Sequence, residues 1–288
     1  MRYVAIGDSF TEGVGDELPD GSVRGWADLV AAGLAEATGG VVHYANLAVR
    51  GRLLAPIVTE QLDAALALTP PPTMLTLNGG GNDMMRPGHR GGMRLIALTE
   101  GAVRRCLDAG VQVVLISGAD ASSRLPLGQL MRRRATLVTD RLAELATRYR
   151  GDGLVFVDGF HDPELPKAGY WAPDRLHLNA AGHHRMAALV LAALGHPQAA
   201  RAMDPVAPAS RSLRAEARYY REYVLPWIDR RVHGRSSGDG RAGKYLDWTP
   251  IVPQGPAVDP AGGRQAGEGA RTYSKREGSP APARTTSG

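Results

Sequence analysis

The chain has 288 residues, 43% of them hydrophobic, which is enough for a sizeable core in one or two domains. Its formal charge is +5, but 15 of its 34 Lys and Arg and 9 of its 29 Asp and Glu fall in residues 197–288. Residues 1–196 are therefore close to neutral, which argues against nucleic acid as a partner. The only cysteine, Cys106, excludes an intrachain disulfide, and without CxxC or metal-ligand spacing around it, it reads as a small packing residue in a helix. No run of about 18 apolar residues is present. The first residues read as a strand rather than a secretory leader, so the expectation is a cytoplasmic protein without a transmembrane segment.

In chain order, short β-branched runs alternate with helical patterns. A strand is predicted over 3–7, followed by "GDSFTEG" and a helix over 26–38. A second strand over 41–45 leads into "NLAVRG" and a helix over 53–68; a third over 73–77 leads into "NGGGND" and a helix over 93–109. Strands over 111–117 and 154–158 flank a helix over 129–149. The last helix of the unit, 180–194, stops at Gly195 with Pro197 just beyond. This alternation predicts an α/β fold: a three-layer α/β/α sandwich with a five-stranded parallel sheet and right-handed crossovers. In such sheets ligands gather at the carboxyl ends of the strands, where the three quoted loops lie.

The domain reading is an α/β unit over 1–200, an amphipathic helical extension over 201–233, and a Gly/Pro/Arg-rich tail over 234–288. Residues 209–233 carry Leu213, Ala217, Tyr220, Val224 and Trp227 along one side, with Pro226 bending or ending the helix. The tail is too poor in apolar residues to offset its ordering entropy and is expected to be largely disordered. Its one stretch able to dock is 244–253, "KYLDWTPIVP".

Ser9 has two readings. Ser9-Phe10-Thr11-Glu12 fits the S-x-x-E capping box, in which the serine begins a helix. A nucleophilic serine needs more: a base, a group orienting that base, and donors for an oxyanion. His177 supplies a base in the loop before the last helix, and Asp174, three residues earlier, can accept from its Nδ1–H. Asn82 in "NGGGND", the Gly51 N–H that ends "NLAVRG" and the Ser9 N–H are candidate oxyanion donors. His183 and His184 lie inside the last helix and read as packing or surface residues.

Four short motifs in this order, each placed after a strand of one alternating unit, resemble the SGNH hydrolase superfamily, the GDSL esterases and lipases. Gly7-Asp8-Ser9 matches its first block, Gly51 its second, Asn82 in Gly80-Gly81-Asn82-Asp83 its third, and Asp174-Arg175-Leu176-His177 its last. The resemblance spans about residues 3–195. It implies a flavodoxin-like strand order and a serine esterase. Ser9 would be the nucleophile, His177 and Asp174 base and orienter, and Ser9, Gly51 and Asn82 the oxyanion hole. No metal or organic cofactor is called for. The G-x-S-x-G elbow of ordinary α/β-hydrolases is absent around Ser9. The partner this implies is a small-molecule ester, with short-chain acyl or acetyl esters foremost. Met84, Met85 and Arg86 stand beside the third block as candidate pocket residues. The competing readings are acyl transfer to an alcohol or sugar by the same residues, and a binding module without turnover. The 209–233 stretch reads as packing on the core rather than on lipid, and the oligomeric state is left open.

Overall fold

The computed structural model describes residues 1–86, 92–125, 128–204 and 238–254. Strand β1 (Arg2–Ile6) turns Tyr3 and Ala5 to one face of the sheet and Val4 and Ile6 to the other, and all four are fully buried. A strand covered on both faces must be apolar at every position, which is why it reads as a continuous run rather than an alternation. The other strands are β2 (Val42–Asn46), β3 (Met74–Leu77), β4 (Gln112–Ile116), β5 (Leu154–Val157) and β6 (Tyr245–Ile251), in the spatial order β5-β4-β3-β1-β2-β6. The five strands β1 to β5 pair in parallel, in the 2-1-3-4-5 flavodoxin-like order.

The helices are α1 (Ser9–Glu12), α2 (Trp26–Thr38), α3 (Leu54–Pro56), α4 (Leu62–Ala67), α5 (Gly81–Met84), α6 (Gly92–Asp108), α7 (Gly128–Arg148), α8 (Ala180–Ala193) and α9 (Pro197–Met203). A π-helical turn, Ile57–Gln61, joins α3 to α4, so the helix expected over 53–68 is interrupted. One core lies between the sheet and α2 and α8, with Trp26, Leu34, Met186 and Leu191 at its centre. The other lies between the opposite face and α4, α6 and α7, with Leu62, Val103 and Leu145. Cys106 packs in this second core, where burial pushes its thiol up to about 11. Among the described residues no helix is long and apolar enough to cross a membrane.

The sheet corrects the five-strand expectation. Its sixth strand, β6, runs antiparallel along the free edge of β2, pairing Val42 with Ile251 and Asn46 with Tyr245. It comes from the stretch counted with the tail. β6 is poorly legible in sequence because it has no buried face: Tyr245, Leu246 and Asp247 are exposed and Pro250 interrupts the donor row. Its place is decided instead by the open ladder of β2 and by particular contacts. Tyr245 packs edge-on against Tyr44 at 5.8 Å, and the Trp248 indole N–H donates to the Pro70 carbonyl at 2.9 Å. The helix expected over 209–233 lies outside the described residues.

Candidate active site

The site begins where β1 ends. A Cβ at Gly7 would fall 2.4 Å from the Thr11 hydroxyl and 2.9 Å from the Asn78 carbonyl, so only glycine lets the chain turn this tightly. Asp8 then caps α1: its extended backbone precedes the helix and its Oδ1 accepts from the Phe10 N–H at 3.1 Å. Ser9 is the first helical residue and not the cap, which corrects the capping-box reading of Ser9–Glu12. Glu12 does not reach back to the start of the helix. It turns to Arg50, accepting from the Arg50 N–H at 2.7 Å and from its guanidinium. The Ser9 hydroxyl is thereby left for another partner.

That partner is His177, whose Nε2 lies 3.0 Å from Ser9 Oγ across 168 residues of chain. The loop carrying His177 is folded by local bonds. Asp174 Oδ1 accepts from the Leu176 and His177 N–H groups, each at 3.0 Å, while Oδ2 lies 2.6 Å from His177 Nδ1. Arg175 takes a left-handed φ of 60° at the tip, and the Ala172 N–H donates to the His177 carbonyl at 2.9 Å. The carboxylate accepts, so Nδ1 carries the proton and Nε2 presents a lone pair to the Ser9 O–H. Burial works to raise the Asp174 carboxyl, but the hydrogen bond and charge of His177, with the two amides, hold it below its ordinary value.

Gly51 and Asn82 approach the site from the loops after β2 and β3. Gly51 has a φ of 75°, open to glycine at no steric cost. Among the described residues neither its N–H nor that of Ser9 has an acceptor, so both donors are available. Asn82 differs from them. Its amide donates to Asp8 Oδ2 at 3.1 Å and to the Arg52 carbonyl at 3.0 Å, which ties the first, second and third blocks together. An oxyanion would draw one of these N–H groups to itself. Asp83 adds a bond from the same turn, accepting from the Leu54 N–H at 2.9 Å. Met84 packs partly buried against the second core, and its carbonyl accepts from Arg134. Arg86 is exposed.

His183 is fully buried and belongs to the scaffold. Its Nδ1 accepts from the Trp26 N–H at 3.2 Å, its Nε2–H donates to the Val14 carbonyl at 3.2 Å, and burial pushes it down to about 4, so it stays neutral. His184 is half-buried, with Nδ1 3.3 Å from the Met203 carbonyl.

Two features of the site were not read from the sequence: the Glu12–Arg50 pair and the burial of Asp8. The glutamate was visible as the last letter of S-x-x-E, a local motif, whereas its actual partner is 38 residues away. Burial pushes the Asp8 carboxyl from its ordinary 3.8 up to about 6, against the pull of the Phe10 amide and the His177 charge. A carboxyl with a raised folded-state value stabilises the fold fully below its unfolded value, and that contribution is lost as pH rises through about 6. Urea unfolding of the wild type and Asp8→Asn between pH 4 and 7 should show it. Relative to the variant, the wild type is expected to lose roughly 2 kcal/mol over that range. Parallel pH curves would mean that Asp8 titrates normally.

The strand order and the four blocks at the strand ends define an SGNH-type hydrolase. The model of the GDSL-like Lipase/Acylhydrolase family matches residues 5–185. That is more than half of the chain, which therefore belongs to that family and is an enzyme that hydrolyses ester bonds. Solved structures share the fold. TesA superposes with a TM-score of 0.55 at 21% identity, covering 67% of this chain and 98% of its own. A lipase from a goat rumen metagenome gives 0.54 at 17% identity over 69% and 99%. The psychrotrophic esterase EstA from Pseudoalteromonas sp., solved with monoethylphosphonate as inhibitor, gives 0.51 at 16% identity over 67% and 96%. No curated protein matches the sequence.

Proposed function

We propose that this enzyme is a serine esterase that hydrolyses short-chain acyl or acetyl esters through an acyl-enzyme on Ser9. The observation that carries the reading is the continuous relay from Ser9 Oγ to His177 Nε2 at 3.0 Å and from His177 Nδ1 to Asp174 at 2.6 Å. In the first half-reaction Ser9 Oγ adds to the ester carbonyl carbon while its proton passes to His177 Nε2. The negative oxygen is received by the Ser9 and Gly51 N–H groups and the Asn82 amide. The tetrahedral adduct collapses, the alcohol leaves with the proton from Nε2, and an acyl ester remains on Ser9. In the second, water gives its proton to the same nitrogen and adds to the acyl carbon, and the acid departs as Ser9 regains its proton. Asp174 stays ionised throughout and supports the imidazolium. A pure binder would have no use for the full relay, which favours turnover.

The test is a series of p-nitrophenyl esters from acetate to long chain, with and without an acceptor alcohol. A fluorophosphonate label located by peptide mass spectrometry accompanies it. The expected results are a short-chain optimum, free acid as the main product and a label on the peptide carrying Ser9. A label elsewhere, or none alongside measurable turnover, would remove Ser9 from the mechanism. Predominant ester exchange with the alcohol would make the enzyme an acyltransferase.

A further inference from the structure

The segment 238–254 is remote in sequence from all four blocks, yet it bears on the backbone of the second. A Cβ at Gly238 would stand 2.0 Å from the Arg50 carbonyl, and one at Gly243 would stand 2.6 Å from the Asn46 carbonyl and the Leu47 Cα. The segment thus lies against the loop between β2 and Gly51 at two points, at distances only glycine permits. Lys244 follows, with its side chain 17% exposed. Its Nζ donates to the Glu12 carbonyl at 2.7 Å and the Val23 carbonyl at 3.0 Å, and pairs with Asp28. All three ammonium protons are thereby placed.

Glu12 closes the chain of contacts. It is the last residue of α1, which begins with Ser9. Its carboxylate takes both the backbone N–H and the guanidinium of Arg50, so Arg50 is held at main chain and side chain by one group. The next peptide carries the Gly51 N–H. Glycine at a φ of 75° has wide backbone freedom of its own, so the aim of that N–H depends on what holds its neighbours. Downstream, Asn82 holds the Arg52 carbonyl and Asp83 holds the Leu54 N–H. Upstream, the holders are Glu12 and the 238–244 segment.

We infer that residues 238–244 are a positioning element for the oxyanion loop, acting through Lys244 and Glu12 on Arg50 and so on the Gly51 N–H. The inference rests on the reading of Gly51 as an oxyanion donor. Lys244 and Glu12 touch neither substrate nor the reacting atoms; they fix the distance between the nucleophile's helix and the donor loop.

The experiment uses the full chain. Lys244→Met, Glu12→Gln and Ser9→Ala are compared with wild type on p-nitrophenyl acetate, well below the melting transition and with circular dichroism to confirm folding. A misplacement of about 1 Å at a reacting centre can cost up to about 10²-fold in rate. Lys244→Met and Glu12→Gln are therefore expected to lower kcat by about 10- to 100-fold with KM within about threefold of wild type. The pH midpoint of kcat/KM should not move, because His177 and Asp174 are untouched. A boronic acid, whose adduct on Ser9 places an oxygen at the oxyanion position, should lose affinity in step with kcat. A purely structural role would lower the melting temperature and leave kcat and boronate affinity unchanged, and that result overturns the inference. If Glu12→Gln does not fold, Lys244→Met decides alone, since Lys244 lies just before the edge strand β6. An active wild type, an inactive Ser9→Ala and an unaffected Lys244→Met would sink this inference while leaving the esterase reading intact. A wild type no better than Ser9→Ala would sink both.

Discussion

Ser9→Ala should lower kcat/KM on every ester the wild type turns over by about 10³-fold or more, with the fold intact. The substitution removes one oxygen. Among the described residues its only side-chain hydrogen bond is to His177, and the start of α1 is capped by Asp8, so no helix end is left open. Alanine is also a good residue at the first helical position, and the Ser9 N–H remains to polarise a carbonyl. On the proposed mechanism, what is lost is the nucleophile, and with it the acyl-enzyme. The clearest readout is a rapid-mixing experiment with p-nitrophenyl acetate. Wild type should release p-nitrophenol in a burst stoichiometric with enzyme when deacylation is the slower step, and the variant should show no burst. A folded Ser9→Ala that keeps more than about a tenth of the wild-type rate would rule out covalent catalysis through this residue.

The second large effect is expected from Asp174→Asn, about 10³- to 10⁴-fold in kcat. The local geometry sets the direction. Oδ1 of Asp174 accepts from two backbone N–H groups, so an asparagine would keep its carbonyl oxygen there and turn its NH2 toward His177. A donor would then face Nδ1, which could no longer carry its proton. The proton would move to Nε2, where it points at Ser9 Oγ in place of the lone pair that accepts from it. The ring would sit in nearly the same place in the wrong tautomer. Nitrogen NMR of the His177 ring should show this exchange of protonated nitrogens, with KM little changed. The carboxylate of the wild type is held below its ordinary value, so its contribution to stability is present above the unfolded value and lost as pH falls through the folded one. The acid limb of unfolding should therefore soften in Asp174→Asn. An unchanged tautomer together with full activity would remove Asp174 from its role as orienter.

The site and the sheet differ in how far each could be read along the chain. β1 to β5 announced themselves because both faces of each are covered, which leaves apolar runs such as Tyr3-Val4-Ala5-Ile6 between polar turns. The helices α2, α6, α7 and α8 were legible within a residue or so of their ends, since a helix on a sheet must keep one apolar stripe. The candidate site residues could be picked out because glycines, a serine and an asparagine stand just beyond strand ends, and D-x-x-H stands just before the last helix of the unit. The Asp174–His177 turn is purely local, closed over four residues, and a short sequence can encode it. β6 was not legible in that way. It buries no face of its own, and its partner strand is about 200 residues away.

What the sequence determined by itself was therefore whatever depends on neighbours within a few positions: the parallel α/β alternation, the glycine turns, and the residue types gathered at the strand ends. The tertiary structure decided which of several short-range options each polar group takes. Ser9 could have capped its helix, but Asp8 does so, because the turn at Gly7 brings the carboxylate of Asp8 to the Phe10 N–H. Glu12 could have closed the same motif, but the loop after β2 brings Arg50 within reach and a charged pair outcompetes a neutral backbone donor. Lys244 could have pointed into solvent, but the open edge of β2 draws its strand in and sets the ammonium against the end of α1. Each choice turns on a partner that only the folded sheet brings close. Local patterns name the candidates, and the distances between distant parts of the chain select among them.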